Sequence, residues 1–154
     1  MSAVNREVVR DYLAALLVTD LQGSPKPAEI VYGYPSADFT KSPMVSVADA
    51  GIERDRVRLG DADYTVWVWL DIFVFILYAN PETGWTEANA EDQLDLIEKT
   101  IADTITAHRS KAQDASAPWD VIEPAGRTAP DYVEVKGVEY RRERIPVRAK
   151  VVHG

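Results

Sequence analysis

The run from Tyr64 to Tyr78, YTVWVWLDIFVFILY, limits what this chain can fold into more than any other stretch. It is fifteen residues long and carries one charge, Asp71. The rest is almost wholly β-branched and aromatic, which suits a pleated surface. As a strand it would extend about 50 Å, beyond the usual strand length. A spanning helix needs about 20 apolar residues, more than the run supplies. Asp61 and Asp63 before it and Asn80-Pro81-Glu82 after it give no basic flank to hold a membrane topology. Strand alternation divides the run into two faces. One is aliphatic from Val66 to Ile76, with Tyr64 and Tyr78 at its ends. The other carries Trp67, Trp69, Asp71, Phe73 and Phe75. The aliphatic face is expected to meet helices, and the aromatic face a second layer or another subunit.

The remaining segments fall around this strand. Val4 to about Thr19 predicts a helix, with Val4, Val8, Tyr12, Leu16 and Val9, Leu13, Leu17 as a wide apolar stripe. Asp20 to Pro27 reads as a loop, Ile30 to Tyr34 as a short strand stopped by Pro35, and Met44 to near Gly51 as a second strand. Ile52 to Leu59 fits a connecting strand or an ordered loop, and Gly60-Asp61 a turn. Thr86 is placed to cap a helix in which Ala90, Leu94, Ile97, Ile101 and Ile105 share one side, ending near Arg109. Asp114 to Asp131 is expected to be extended and loop-rich. Two strands close the chain, Tyr132 to Tyr140 and one from Ile145 that alternates through Val151, with Pro146 favouring an edge position. Strands and helices are segregated. The expected fold is therefore a single α+β domain over residues 1–154: a mainly antiparallel sheet with a long central strand, packed by the N-terminal and middle helices.

Composition removes several function classes. The 154 residues include no cysteine, so a disulfide scaffold, a thiol nucleophile and a thiolate metal site are excluded. The N-terminal segment has charges spread through its apolar residues, unlike a signal peptide, and predicts a cytoplasmic product. A net charge of −8 opposes generic nucleic-acid binding. The balance is uneven: from Glu134 onward the chain carries a net +3, from Lys136, Arg141, Arg142, Arg144, Arg148 and Lys150 against three glutamates. That asymmetry fits either a surface complementary to a partner or a strand edge protected by charge.

No catalytic set emerges. His108 and His153 have no ligand partners at metal-site spacing; the first is expected at a helix end and the second in a disordered tail. No phosphate-binding glycine loop or nucleophile elbow is present. Asp71 on an aromatic face must be paired or reach water, and it is expected to bind an arginine of a neighbouring strand or subunit. The tryptophans are not interleaved with Lys or Arg along the chain, as a single-strand nucleic-acid platform requires. Core and interface roles suit them better.

The layout resembles the tail terminator (tail completion) proteins of long-tailed bacteriophages. An N-terminal helix leads to the phrase Val31-Tyr32-Gly33-Tyr34-Pro35, then to a strand opened by Ser42-Pro43-Met44-Val45. The long apolar strand, an amphipathic helix and the ending Gly137-Val138-Glu139-Tyr140-Arg141-Arg142-Glu143-Arg144-Ile145-Pro146-Val147 follow. The resemblance implies a homo-hexameric ring, assembled in the host cytoplasm and carried in the virion, that caps the tail tube, stops its polymerisation and joins it to the head connector. Its implied partners are further copies of the chain, the tail tube protein and the connector, with DNA passing through the lumen and no membrane. It implies no enzymatic activity and no cofactor. Candidate interface residues are Arg141, Arg142, Arg144, Trp67, Trp69 and Asp71. The alternatives are a head-to-tail connector or stopper of the same neck region, and a small enzyme or ligand-binding domain with Asp71 and the two tryptophans lining a pocket.

Overall fold

The computed structural model describes residues 6–56 and 64–153, and at positions 56, 64, 152 and 153 only the backbone. Its elements in chain order are α1 (Arg6–Leu21), β1 (Ile30–Tyr32), β2 (Met44–Arg56), β3 (Tyr64–Leu77), α2 (Glu87–Ala107), β4 (Val121–Pro124), β5 (Ala129–Val135) and β6 (Val138–His153). Among the described residues, two helices and a mixed six-stranded sheet make an α+β fold. The sheet runs β1-β2-β3-β6-β4, with β5 also beside β6. β1 pairs with β2 in parallel, and the other pairings are antiparallel.

β3 is the spine, flanked along its length by β2 and β6. Its aliphatic face is closed: Val66, Val68, Leu70, Ile72, Val74 and Ile76 are all buried. They pack with Val45 and Val47 of β2, and with Ile145, Val147 and Ala149 of β6. The two helices cover this one face. α2 presents Ala90, Leu94, Ile97, Ile101 and Ile105, the stripe read from the sequence. Thr86 caps it by accepting the Asn89 N–H, and the helix ends at Ala107, two residues before the expected Arg109. α1 buries Val9, Leu13, Ala14, Leu17 and Leu21. The stripe is thus narrower than expected, because Val8 turns outward and is about half exposed.

Several strand boundaries differ from the sequence reading, β1 among them, which ends at Tyr32 and not at Tyr34. β2 is one strand of 13 residues, where the sequence predicted a strand and a separate segment. A bulge between Asp49 and Gly51 explains this. Val45 and Val47 face the helices before it, and Ile52 faces them after it, so the alternation changes parity at the extra residue. Gly51 has φ +128°, a conformation that favours glycine. The expected turn at Gly60-Asp61 lies outside the described residues.

β4 and the first residues of β5 occupy the segment expected to be loop. The expected strand Tyr132 to Tyr140 is instead the end of β5, a two-residue turn at Lys136-Gly137, and the start of β6. Both turn residues have positive φ, 52° and 78°, the signature of a type I′ hairpin.

β6 runs 16 residues inside the sheet, so the edge position inferred from Pro146 does not hold. The missing N–H is accommodated at a gap. β5 pairs with β6 up to Arg144 and β4 from Val147, and Pro146 falls between them. Its carbonyl accepts from Ala125 on that side. A residue in an antiparallel strand points both backbone groups the same way, so the absent donor faces the break. His153, expected in a disordered tail, has its backbone paired with Tyr64 as the last residue of β6.

Candidate interaction face of the sheet

Among the described residues no helix lies on the second face of β3. Thr65, Trp67, Trp69, Asp71, Phe73 and Phe75 are all half-buried there. Register with the neighbouring strands turns this face into a series of rows. Glu53, Trp67, Lys150 and Val121 form one, and Gly51, Trp69, Arg148 and Glu123 the next. Below them come Ala48, Asp71 and Pro146, then Ser46, Phe73 and Arg144, then Met44, Phe75, Arg142 and Asp131.

The lower rows are partly roofed by the segment before β2. Phe39 stands edge-on against Phe75 with centroids 5.1 Å apart, and tilts against Tyr140 at 5.3 Å. The Tyr140 hydroxyl donates to the Phe39 carbonyl at 3.3 Å. Met44 and Ser46 are buried beneath this cover. No such cover is seen among the described residues over the upper rows, which hold Trp67 and Trp69.

There β6 supplies cations to the aromatic column. The Arg148 guanidinium lies 4.3 Å from the Trp67 ring centre and 5.4 Å from that of Trp69, and the Lys150 ammonium lies 5.8 Å from Trp67. These are cation–π distances. Tryptophans and cations that are not interleaved along the chain are therefore interleaved across strands.

Most of these cations are already matched by carboxylates. Arg148 donates to Glu123 at 2.7 Å. Arg142 holds Asp131 through two parallel bonds of 2.8 and 2.5 Å. This keeps the Asp131 carboxyl below its usual range, as a bidentate guanidinium does. Asp71 meets Arg144 with Nε–Oδ1 at 3.0 Å, an arginine of the neighbouring strand as expected. That buried oxygen has no aligned hydrogen bond, so the contact is chiefly one of charge. Summed over the face, Arg142, Arg144, Arg148 and Lys150 stand against Glu53, Asp55, Asp71, Glu123 and Asp131. A nearly neutral face of this kind does not form an anion-binding footprint. Aromatic rings with arginines are instead the composition of protein–protein interface centres.

Of the six candidate residues, five share this face. Arg141 does not. It points to the helix side, where it donates to Glu91 at 2.6 Å and to the Asp131 carbonyl at 2.9 Å, and its guanidinium lies 4.7 Å from the Tyr132 ring centre. Tyr132 in turn stands against Tyr78 at 5.0 Å. The hydrogen bond with Tyr132, followed by burial, pushes the Tyr78 hydroxyl up to about 12. Arg148 and Lys150, named in the sequence only as part of the basic C-terminal segment, and Glu123, which it did not single out, also belong to the face. Their only signal there was the even spacing of Arg142, Arg144, Arg148 and Lys150, which becomes informative once the register is known.

His108 is the C-cap residue of α2. Its Nδ1 lies 2.8 Å from Asp114, which also accepts from the Tyr12 hydroxyl at 2.7 Å. The Tyr12 bond, then the His108 bond, hold the Asp114 carboxyl below its usual range. The cluster ties α1 to the segment after α2, beside the buried Trp119. Among the described residues no group of three or more His, Cys, Asp or Glu side chains is placed to hold a metal. No helix among them is long and apolar enough to cross a membrane. A cavity of about 290 Å³ lies at the far end of β3, lined by Ser42, Pro43, Leu77, Thr83, Trp85 and Gln93; neither Asp71 nor the two face tryptophans reach it. Comparison of the sequence with protein-family models and with curated proteins finds no match.

Proposed function

We propose that this chain is a ring-forming structural protein of a phage tail, a tail terminator. In this reading six copies close into a ring that caps the tail tube, stops its growth and joins it to the head connector. The observation that carries the reading is the division of labour across β3. One face is sealed by both helices, while the other presents half-buried Trp67, Trp69 and Phe73 with cations and no helix. A fold that completes its core on one face of the sheet and leaves aromatic surface on the other is suited to assembly.

Two further features support it. The outer side of β2 is paired by β1 only from Met44 to Ser46, so from Val47 to Arg56 it has no strand partner among the described residues. Head-to-tail contacts between copies close rings and protect such edges. The net charge of −8 also suits a lumen along which DNA slides without adhering. In this reading the mixed sheet counts as mainly antiparallel, its parallel β1–β2 pair being a short addition at one edge, and the protein resides in the virion without enzymatic activity.

Native mass spectrometry of the purified protein, with and without tube protein, tests the ring. A hexamer is the expected species, and monomer alone under both conditions would sink the reading. Deletion in a phage background is expected to give overlong or unjoined tails. DNA leaking from filled heads would point instead to a neck stopper.

A further inference from the structure

The charges of the open face are arranged in columns, and the arrangement selects a partner. Glu53 and Asp55 lie on the β2 side of the tryptophan column, and Arg148 and Lys150 on the β6 side. Glu53 and Asp55 are exposed, and no ion pair to either is seen among the described residues. Lys150 contacts Trp67 and no carboxylate among the described residues. Such a face is acidic along β2, aromatic along β3 and basic along β6, with Glu123 of β4 beyond it bonded to Arg148 and Lys150 left, among the described residues, as the free cation toward a partner.

We infer that the upper part of this face docks a second copy of the chain, face to face, about a two-fold axis running along β3. With the strand directions of the two sheets kept aligned, two such axes are open. An axis across the strands would lay β2 on β2 and β6 on β6, opposing like charges. An axis along β3 exchanges left and right, so Glu53 of each copy meets Lys150 of the other and Trp67 and Trp69 stack near the axis. Strand directions then stay nearly aligned, as sheets packed in a sandwich prefer. Shape agrees with charge. Gly51 occupies the place opposite Arg148 in the next row, and nothing lies within 4 Å of where its Cβ would be, so each copy offers a notch where the other has its bulkiest cation.

The contact is small. Seven residues of β3 at about 3.3 Å and four strands at about 4.8 Å give roughly 400 Å² per copy. A standard interface buries about 800 Å² per partner, so the pair is expected to be weak and salt-sensitive. The inference uses the open face that the ring reading also draws on, and leaves the edge of β2 that is unpaired among the described residues for the head-to-tail contact that closes a ring. In a ring-forming chain this contact joins two rings back to back.

The absence of native cysteine allows a direct test. Two single-cysteine variants, Glu53→Cys and Lys150→Cys, are mixed and treated with a bis-maleimide that reaches about 10 Å, the spacing of stacked sheets. Each chain then holds one thiol, so no link closes inside a chain, and the crossed pairing sets unlike thiols opposite each other while like thiols lie farther apart. The mixture is expected to give covalent dimers on a denaturing gel, at several times the yield of either variant alone or of a Leu96→Cys control on the outer side of α2. Equal yields would overturn the proposal. In a second arm without crosslinking, Glu53→Lys is expected to weaken self-association in sedimentation velocity, and adding Lys150→Glu to the same chain to restore it. Restoration by the double reversal is specific to the crossed pairing. If the single reversal strengthens association, or the double one fails to restore it, the axis is wrong. Single-stranded oligonucleotide bound by the full chain and lost on Lys150→Glu would also overturn it. The crosslink and the hexamer are separate readouts: hexamers without the crosslink refute only this contact, and crosslinked dimers without hexamers refute only the ring.

Discussion

Identical residue types take different roles here according to where register places them. Trp119 is fully buried, donates its indole N–H to the His108 carbonyl at 2.8 Å and meets the edge of Tyr12. Trp67 is half-buried under a guanidinium. Urea denaturation of Trp119→Ala is expected to show a loss of about 3–5 kcal/mol, against about 1–2 kcal/mol for Trp67→Ala; equal losses would mean that Trp67 is core. Asp71 depends on Arg144. The variant Arg144→Ala is expected to lose about 1–3 kcal/mol by leaving a buried carboxylate uncompensated. Asp71→Asn in the same chain should recover part of that loss, and additivity of the two would show that they do not interact. Acid stability follows from Asp114 and Asp131, whose folded pKa values lie below their unfolded ones. Their contribution is complete above the unfolded carboxylate pKa and is lost as pH falls through the lower folded value. Glu98 acts in the opposite sense, because burial raises its pKa and protonation relieves that cost. Thermal melts across the acid range are expected to fall most steeply below the ordinary carboxylate pKa, and less steeply in Tyr12→Phe, which removes the first cause of the Asp114 shift.

Among the elements, the hairpin of β5 and β6 is the one whose turn chemistry is least favourable. Lys136 holds φ 52° without glycine's freedom, followed by Gly137 at 78°. Type I′ turns prefer Asn-Gly. Lys136→Asn is therefore expected to stabilise the protein by about 0.4–1 kcal/mol, and Gly137→Ala to destabilise it by more than that. An unchanged denaturation midpoint in both variants would show that the turn does not fix the register. The same element explains a misreading. Val133, Val135 and Val138 look continuous in the sequence, but a two-residue turn separates them, and its φ angles are not visible in the residue names. α2 was legible because its cap, its spacing of apolar residues and its length all agree. β2 was not, since the bulge at Asp49 to Gly51 breaks the alternation from which strands are recognised.

For the whole molecule, β3 and β6 form the middle of the sheet, with strand neighbours on either side and the helices on one face. Hydrogen exchange is expected to be slowest at Val68 to Val74 and at Val147 to Ala149, where strands lie on both sides and helices cover one face. It is expected to be fastest in residues 33–41, which cross the lower face as irregular chain. Fast exchange in β3 would contradict its place as the spine. The helices divide the molecule into a sealed side and an open side, and that asymmetry is what the assembly reading rests on. Of the six candidate interface residues, Asp71 meets an arginine of the neighbouring strand, Trp67 and Trp69 lie half-buried on the open face, and Arg141 lies on the helix side.

The sequence alone determined the long central strand, its two chemically distinct faces, the two amphipathic helices and the α+β class, because residue periodicity and propensity act locally. Tertiary structure decided the rest. Which cations lie beside which rings depends on the pairing register of β6 against β3, a relation between residues some 80 positions apart along the chain. Pro146 pointed to an edge on local grounds, yet it sits inside the sheet at a break between two partner strands. The aromatic face of Tyr64 to Tyr78 was apparent from alternation, whereas its column of acid, ring and base exists only where three strands lie side by side.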